Sequence, residues 1–258
     1  MAWYDDPLHP FAGIWEKLKR ADDNIVNLGS VSLAFLENSK YPVMPDEDSK
    51  EWQDAVNYHS DLRIPPLFGV LTGEIVHHFR SCLDHVVWHF STPQYRLEAE
   101  SAIEFPVYRE EPIGKDKVAR FERKIKGITK SSVRDLIMDA QPYKRGSSAA
   151  DDPICIIHDM DRFDKHRELV IVMGCVGMAF PSDTPDGDIQ LLLQYGQGKS
   201  LSGDDLRVAK RTFKKRSKVT PQIAFAKFGD RETQLVVPSL SQLSTAVSDL
   251  INLFASEV

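Results

Sequence analysis

The sequence predicts an α+β fold, a helical bundle-like N-terminal part packed with a C-terminal antiparallel sheet and a closing helix. Three observations carry that expectation. Apolar residues recur at the helical period through the first part of the chain, most clearly over 67–90. After Arg167 the texture changes to short apolar runs parted by turn-rich stretches. From Ser239 the helical pattern returns. No clear linker divides these parts, so one domain is expected over 1–258. It would be helical to about 165, β-rich over about 166–238, and closed by a helix at about 239–256.

In chain order, 11–37 reads as a long amphipathic helix on the spacing of Ile14, Leu18, Ile25, Leu28 and Leu36. The period is lost over the next stretch, where Pro42, Pro45, Pro65 and Pro66 suggest short extended pieces. At 100° per residue, Phe68, Ile75, Phe79, Leu83, Val86 and Phe90 converge on one side of a helix over 67–90, and Pro93 closes it. IEFPVY at 103–108 is a short strand or extended link. Helices are expected at 115–126, at 130–139 with a serine N-cap, and at about 153–164. Between the last two, QPY is a break and GSSAADDP a flexible loop. ELVIVMGCVGMAF, DIQLLLQYGQG, PQIAFAKFG and TQLVVP read as strands, with FGDRE as a hairpin turn.

Composition bounds the function. At 42% hydrophobic and 27% charged the chain is too apolar for wholesale disorder. No apolar run reaches the roughly 18–20 residues that cross a bilayer, and the N-terminus lacks a basic n-region and an apolar h-region. A cytoplasmic protein with no membrane partner is the expectation. Cys82, Cys155 and Cys175 are isolated thiols, which fits a reducing compartment and argues against a disulfide framework or zinc knuckle. The net charge of −6 argues against a general polyanion binder. Two basic clusters nonetheless could track a phosphate backbone: Lys115 to Arg134, and RVAKRTFKKRSK at 207–218 with Lys214, Lys215 and Arg216. RNA is therefore an expected partner. No phosphate-binding glycine loop and no nucleophile elbow occurs, and neither metal nor cofactor is expected.

The polar face of the 67–90 helix carries Arg80, Asp84 and His85. Arg80 and His85 leave the helix roughly 140° apart, flanking a groove with Asp84 between them. Such a pair suits RNA cleavage without a metal. A histidine moves protons near neutral pH, and a guanidinium holds phosphoryl oxygens. An Arg80–Asp84 i,i+4 pair, or a buried network joining helices through Arg80, Asp84, Lys165 and Arg167, is the structural alternative. Glu74, His78, His85 and His89 form a second stripe that suggests a metal enzyme, but at 1.5 Å per residue it spans about 22 Å, too long for one ion. A non-catalytic module binding nucleic acid or protein is a further alternative.

DKHR at 164–167 adds Lys165, His166 and Arg167 where helix gives way to strand, a place where basic groups also suit a helix C-terminus. FRSCLDHVVW, EFPVY, QPY and DRFDKHREL together resemble a bacterial family that shares R-x-x-LDH, FP, QPY and DKHR blocks, over roughly 11–170. The resemblance implies that Arg80, Asp84, His85, Gln141, Pro142, Lys165, His166 and Arg167 form one feature. Arg80, Ser81 and His85 also resemble the R-x-x-x-x-H motif of HEPN domains. That likeness implies a homodimer whose motifs meet in a composite ribonuclease site. The catalytic set would be Arg80, Asp84, His85 and His166, with Gln141, Lys165, Arg167, Lys214, Lys215 and Arg216 binding substrate.

Overall fold

A computed structural model of the chain describes residues 7–43, 45, 49–166, 171–179, 190–195, 218–225 and 234–258. Helix dominates, which overturns the α+β expectation: the described residues form eight α-helices and only three short strand segments. The helices are α1 (Ala12–Glu37), α2 (Trp52–Asp61), α3 (Pro66–Phe90), α4 (Pro93–Ala99), α5 (Lys115–Ile125), α6 (Ser131–Asp139), α7 (Pro153–Asp164) and α8 (Val236–Ala255). None is long and apolar enough to cross a membrane.

The chain divides into two compact units. One comprises Met1–Ile25, Gly73–Glu168 and Leu240–Val258, the other Val26–Thr72 and Leu169–Ser239. In the first unit the apolar stripe of α3 supplies the core, with Ile75, Phe79, Leu83 and Val86 all at 0% exposure. An aromatic series threads it, from Phe11 through Phe90 and Phe254 to Phe105, with ring centroids 5.9 to 6.4 Å apart. The Phe11–Phe90 and Phe105–Phe254 pairs meet edge-on, and contacts of this kind add to what burial alone contributes. Helix α8 is part of this core through Leu243, Val247, Ile251 and Phe254, and does not simply close a β portion.

In the second unit the backbone of Ile171–Ala179 runs antiparallel to both Gln190–Tyr195 and Lys218–Phe225. These short segments do not amount to the sheet half that an α+β fold requires. TQLVVP is not a strand. Leu235 makes an isolated bridge to Ala224, and the next residue begins α8. Pro238 fits there because the first turn of a helix has no intrahelical use for its N–H groups.

Three further elements depart from the sequence reading. Helix α2 replaces the expected extended pieces: Trp52, Ala55 and His59 are buried at i, i+3 and i+7, with a histidine in an apolar slot. His59 Nε2 lies 2.8 Å from the Tyr41 carbonyl, which makes that slot tolerable. Pro93 does not end a helix but starts α4, at its first position, behind the Thr92 cap whose hydroxyl accepts from Tyr95 N–H at 3.4 Å. Residues 142–151 form 3₁₀ turns broken at Gly146, where φ is +59°, in place of a flexible loop. Helix α6 begins as expected, but Lys130 occupies its cap position with no side-chain cap.

Candidate functional site

Arg80 turns into the interior and is 4% exposed. Its Nη2 donates to Asp84 Oδ1 at 2.6 Å and to the Phe105 carbonyl at 2.8 Å. The same Asp84 oxygen accepts from Phe105 N–H at 2.8 Å. The Arg80–Asp84 pair therefore grips both backbone groups of one residue in an irregular segment that has no strand partner to satisfy them. Gln141, at 0% exposure, holds the next carbonyl: its Nε2 donates to Pro106 O at 2.9 Å and to Ile137 O at 3.0 Å. Tyr143 N–H then donates to Tyr108 O at 3.1 Å. The R-x-x-LD, FP and QPY blocks are thus one hydrogen-bonded strap, and Gln141 is sealed away from any substrate.

Outside the strap lies a group that sequence reasoning did not single out. Glu104 sits 3.6 Å from Arg80 Nη2 and 2.8 Å from Lys124 Nζ, and Lys124 caps the Tyr108 ring at 5.3 Å from its centroid. Burial would raise the Glu104 carboxyl, but Lys124, Arg80 and His158 outweigh it and hold it low. His158 is pushed down to about 4, by burial first and then by the Arg80 charge. Asp84 is lifted by burial against the opposing pull of Arg80. His158 lies in the helix expected at about 153–164, and while Asp159 and Arg162 are its neighbours on α7, Arg80 and Lys124 reach it from α3 and α5, which no local spacing announces.

The structure does not bring Arg80 and His85 together. His85 is exposed, and the charge of Lys17 on α1 acts on it. The same Lys17 acts on His78 and Cys82. Burial lowers His78 and His85 below the usual imidazole range, with Lys17 assisting in both. His78 Nδ1 is buried and has no hydrogen-bond partner. Cys82 is pushed up to about 12 by burial, so it is an inert thiol there. Glu74 accepts from Asn24 Nδ2 at 3.5 Å. His89 stacks edge-on against Phe11 and Phe90, at 5.1 and 5.0 Å. The metal stripe is therefore divided among separate environments, and no group of three or more His, Cys, Asp or Glu converges among the described residues.

At the end of α7, Asp161 is 3.1 Å from His77 Nδ1 and 2.6 Å from Lys165 Nζ. Asp164 lies over Gly73, where a Cβ would meet its Oδ2 at 2.5 Å, so only glycine permits this approach. Lys165 belongs to this ion-pair group, apart from Arg80, and His166 is exposed. Arg167, Lys214, Lys215 and Arg216 lie outside the described residues.

A basic and aromatic surface completes the first unit. Arg120, Arg123 and Lys126 are exposed at a three-residue spacing along and just beyond α5, with no carboxylate in ion-pair reach among the described residues. Tyr95 of α4 packs against this end of α5, its hydroxyl donating to the Arg123 carbonyl at 2.5 Å. Gly127 allows the approach, since a Cβ there would meet the Tyr95 ring at 2.6 Å. Arg96 covers the exposed Trp88 ring at 5.4 Å and donates to the Trp88 carbonyl at 2.9 Å. No family model, curated protein or solved structure matches the chain.

Proposed function

We propose that this chain is an RNA-binding protein whose contact surface is the α5 stripe with Trp88, Tyr95 and Arg96. The observation that carries this reading is the set of exposed cations, Arg120, Arg123 and Lys126, beside an exposed tryptophan already stacked by an arginine. Cations track the phosphates of a flexible strand while aromatic faces accept its bases, and neither needs a particular sequence. The buried Arg80 supports the same choice from the other side. A guanidinium committed to Asp84 and Phe105 is not available as a phosphate clamp, so binding is favoured over cleavage by Arg80 with His85. The homodimer implied by the HEPN likeness is not required by this surface.

The test is binding of a labelled single-stranded RNA pool across a salt series. Three phosphate contacts give a slope of about −2 in log K against log salt, at about −0.7 per contact. The triple variant Arg120→Ala, Arg123→Ala, Lys126→Ala should flatten that slope and weaken binding at low salt. An unchanged slope in the triple variant would refute the assignment.

A further inference from the structure

We infer that the cleft where the end of α1, the end of α2 and the start of α3 meet binds a small neutral amphiphile, an alkyl chain with a carboxamide at one end. All of its described walls belong to the second unit, and the inference rests on no part of the RNA-binding reading.

The cleft has a volume of about 440 Å³, within the range of roughly 300–1,000 Å³ that small-molecule sites occupy. Its walls follow from the sequence. Val31, Ala34, Phe35 and Asn38 recur at i, i+3, i+4 and i+7, so one face of α1 and the residue after it make a side about 10.5 Å long. Pro65, Leu67 and Phe68 supply another side where α3 begins. Phe68 is buried and meets Phe35 edge-on at 5.5 Å, which ties the two sides together before any ligand arrives. Val31 and Phe35 are only half-buried and Leu67 is 51% exposed. That leaves apolar surface in water which an alkyl chain would cover.

Polar groups gather at one end of this cleft. Asn38 and Ser39 follow the last turn of α1, and the Tyr58 hydroxyl oxygen accepts from Lys40 N–H at 3.2 Å, which places it beside them. Ser39 Oγ is buried and has no hydrogen-bond partner among the described residues, a state that costs free energy until something fills it. Tyr58 keeps its O–H to donate. Asn38 Nδ2 donates to the Ala34 carbonyl at 2.7 Å, which leaves Oδ1 to accept. A carboxamide complements this set: its carbonyl accepts from the Tyr58 and Ser39 hydroxyls, and its NH₂ donates to Asn38 Oδ1. A carboxylate does not. No cationic side chain lines the cleft among the described residues, and the carbonyl end of α1 carries partial negative charge.

The experiment titrates the full chain by calorimetry with octanamide, whose extended chain is about as long as the α1 side, and in parallel with octanoate. The expected result is saturable one-to-one binding of octanamide, with octanoate at least about 10-fold weaker. Ser39→Ala and Tyr58→Phe should each weaken octanamide by about 3–10-fold, the loss of one hydrogen bond. Ala34→Trp, which fills the cleft from an exposed helix position, should abolish binding. Leu67→Glu changes an exposed rim residue and should weaken binding by about 10-fold or more, so the site is still tested if the tryptophan variant does not fold. Circular dichroism should be unchanged in the other three variants. No saturable binding of octanamide overturns the inference. Full affinity in Leu67→Glu or in folded Ala34→Trp overturns the site, and octanoate binding as tightly as octanamide overturns the neutral head.

Discussion

Arg80 shows how much one side chain can decide. It is buried, charged, and bound through one nitrogen to a carboxylate and a carbonyl, while Nη1 has no partner. Arg80→Met leaves Asp84 and the Phe105 carbonyl without their donor, and breaking a buried pair this way costs about 3–5 kcal/mol. Urea unfolding of the variant measures it. A double-mutant cycle with Gln141→Leu should show coupling of about 0.5–3 kcal/mol, because both side chains hold consecutive carbonyls of the strap. His158 contributes a pH dependence. Its folded pKa, about 4, lies below the ordinary histidine value, so between those two the unfolded chain binds the extra proton. Stability from this group is present at neutral pH and is lost as pH falls from about 6.5 toward 4, on the order of 2 kcal/mol after allowance for partial exposure. Unfolding curves at pH 7 and pH 4.5 should converge more closely in His158→Gln than in the parent.

At the scale of elements, local periodicity was readable and tertiary substitution was not. The bounds of α1, α3, α5, α6 and α7 follow the apolar spacing closely. Helix α2 was hidden because His59 fills a core slot that pattern reading reserves for an apolar residue. Helix α4 was hidden because Pro93 is as suited to starting a helix as to ending one, and Thr92 decides between them. The contact of α4 with α5 is checked at Gly127, where an added methyl meets both Tyr95 and Ser91. Gly127→Ala should cost about 1–3 kcal/mol, read as a fall in melting temperature, since the ring and the Ser91 side chain are both held by hydrogen bonds. No loss of stability would mean that the packing gives way without cost.

At the scale of the whole molecule, strand was overestimated among the described residues at 235–238, because short apolar runs of β-branched residues suit a buried helix start as well as a strand, as Val236 and Val237 at the head of α8 demonstrate. The candidate site was legible only in part. The Arg80–Asp84 pair could be read from its i,i+4 spacing, but its burial could not, and Lys124 and His158 meet Glu104 only through the folded chain. The strap over 103–108 has a kinetic consequence. Its amides belong to no helix or strand, yet Phe105 N–H is bonded to a carboxylate beneath the surface. Amide exchange there should be as slow as in the middle of α3, far slower than in other irregular segments, and hydrogen–deuterium exchange by mass would show it. Replacing Asp84 with alanine should release that one region to fast exchange before the helices follow, so the strap would open as a separate unit of local unfolding.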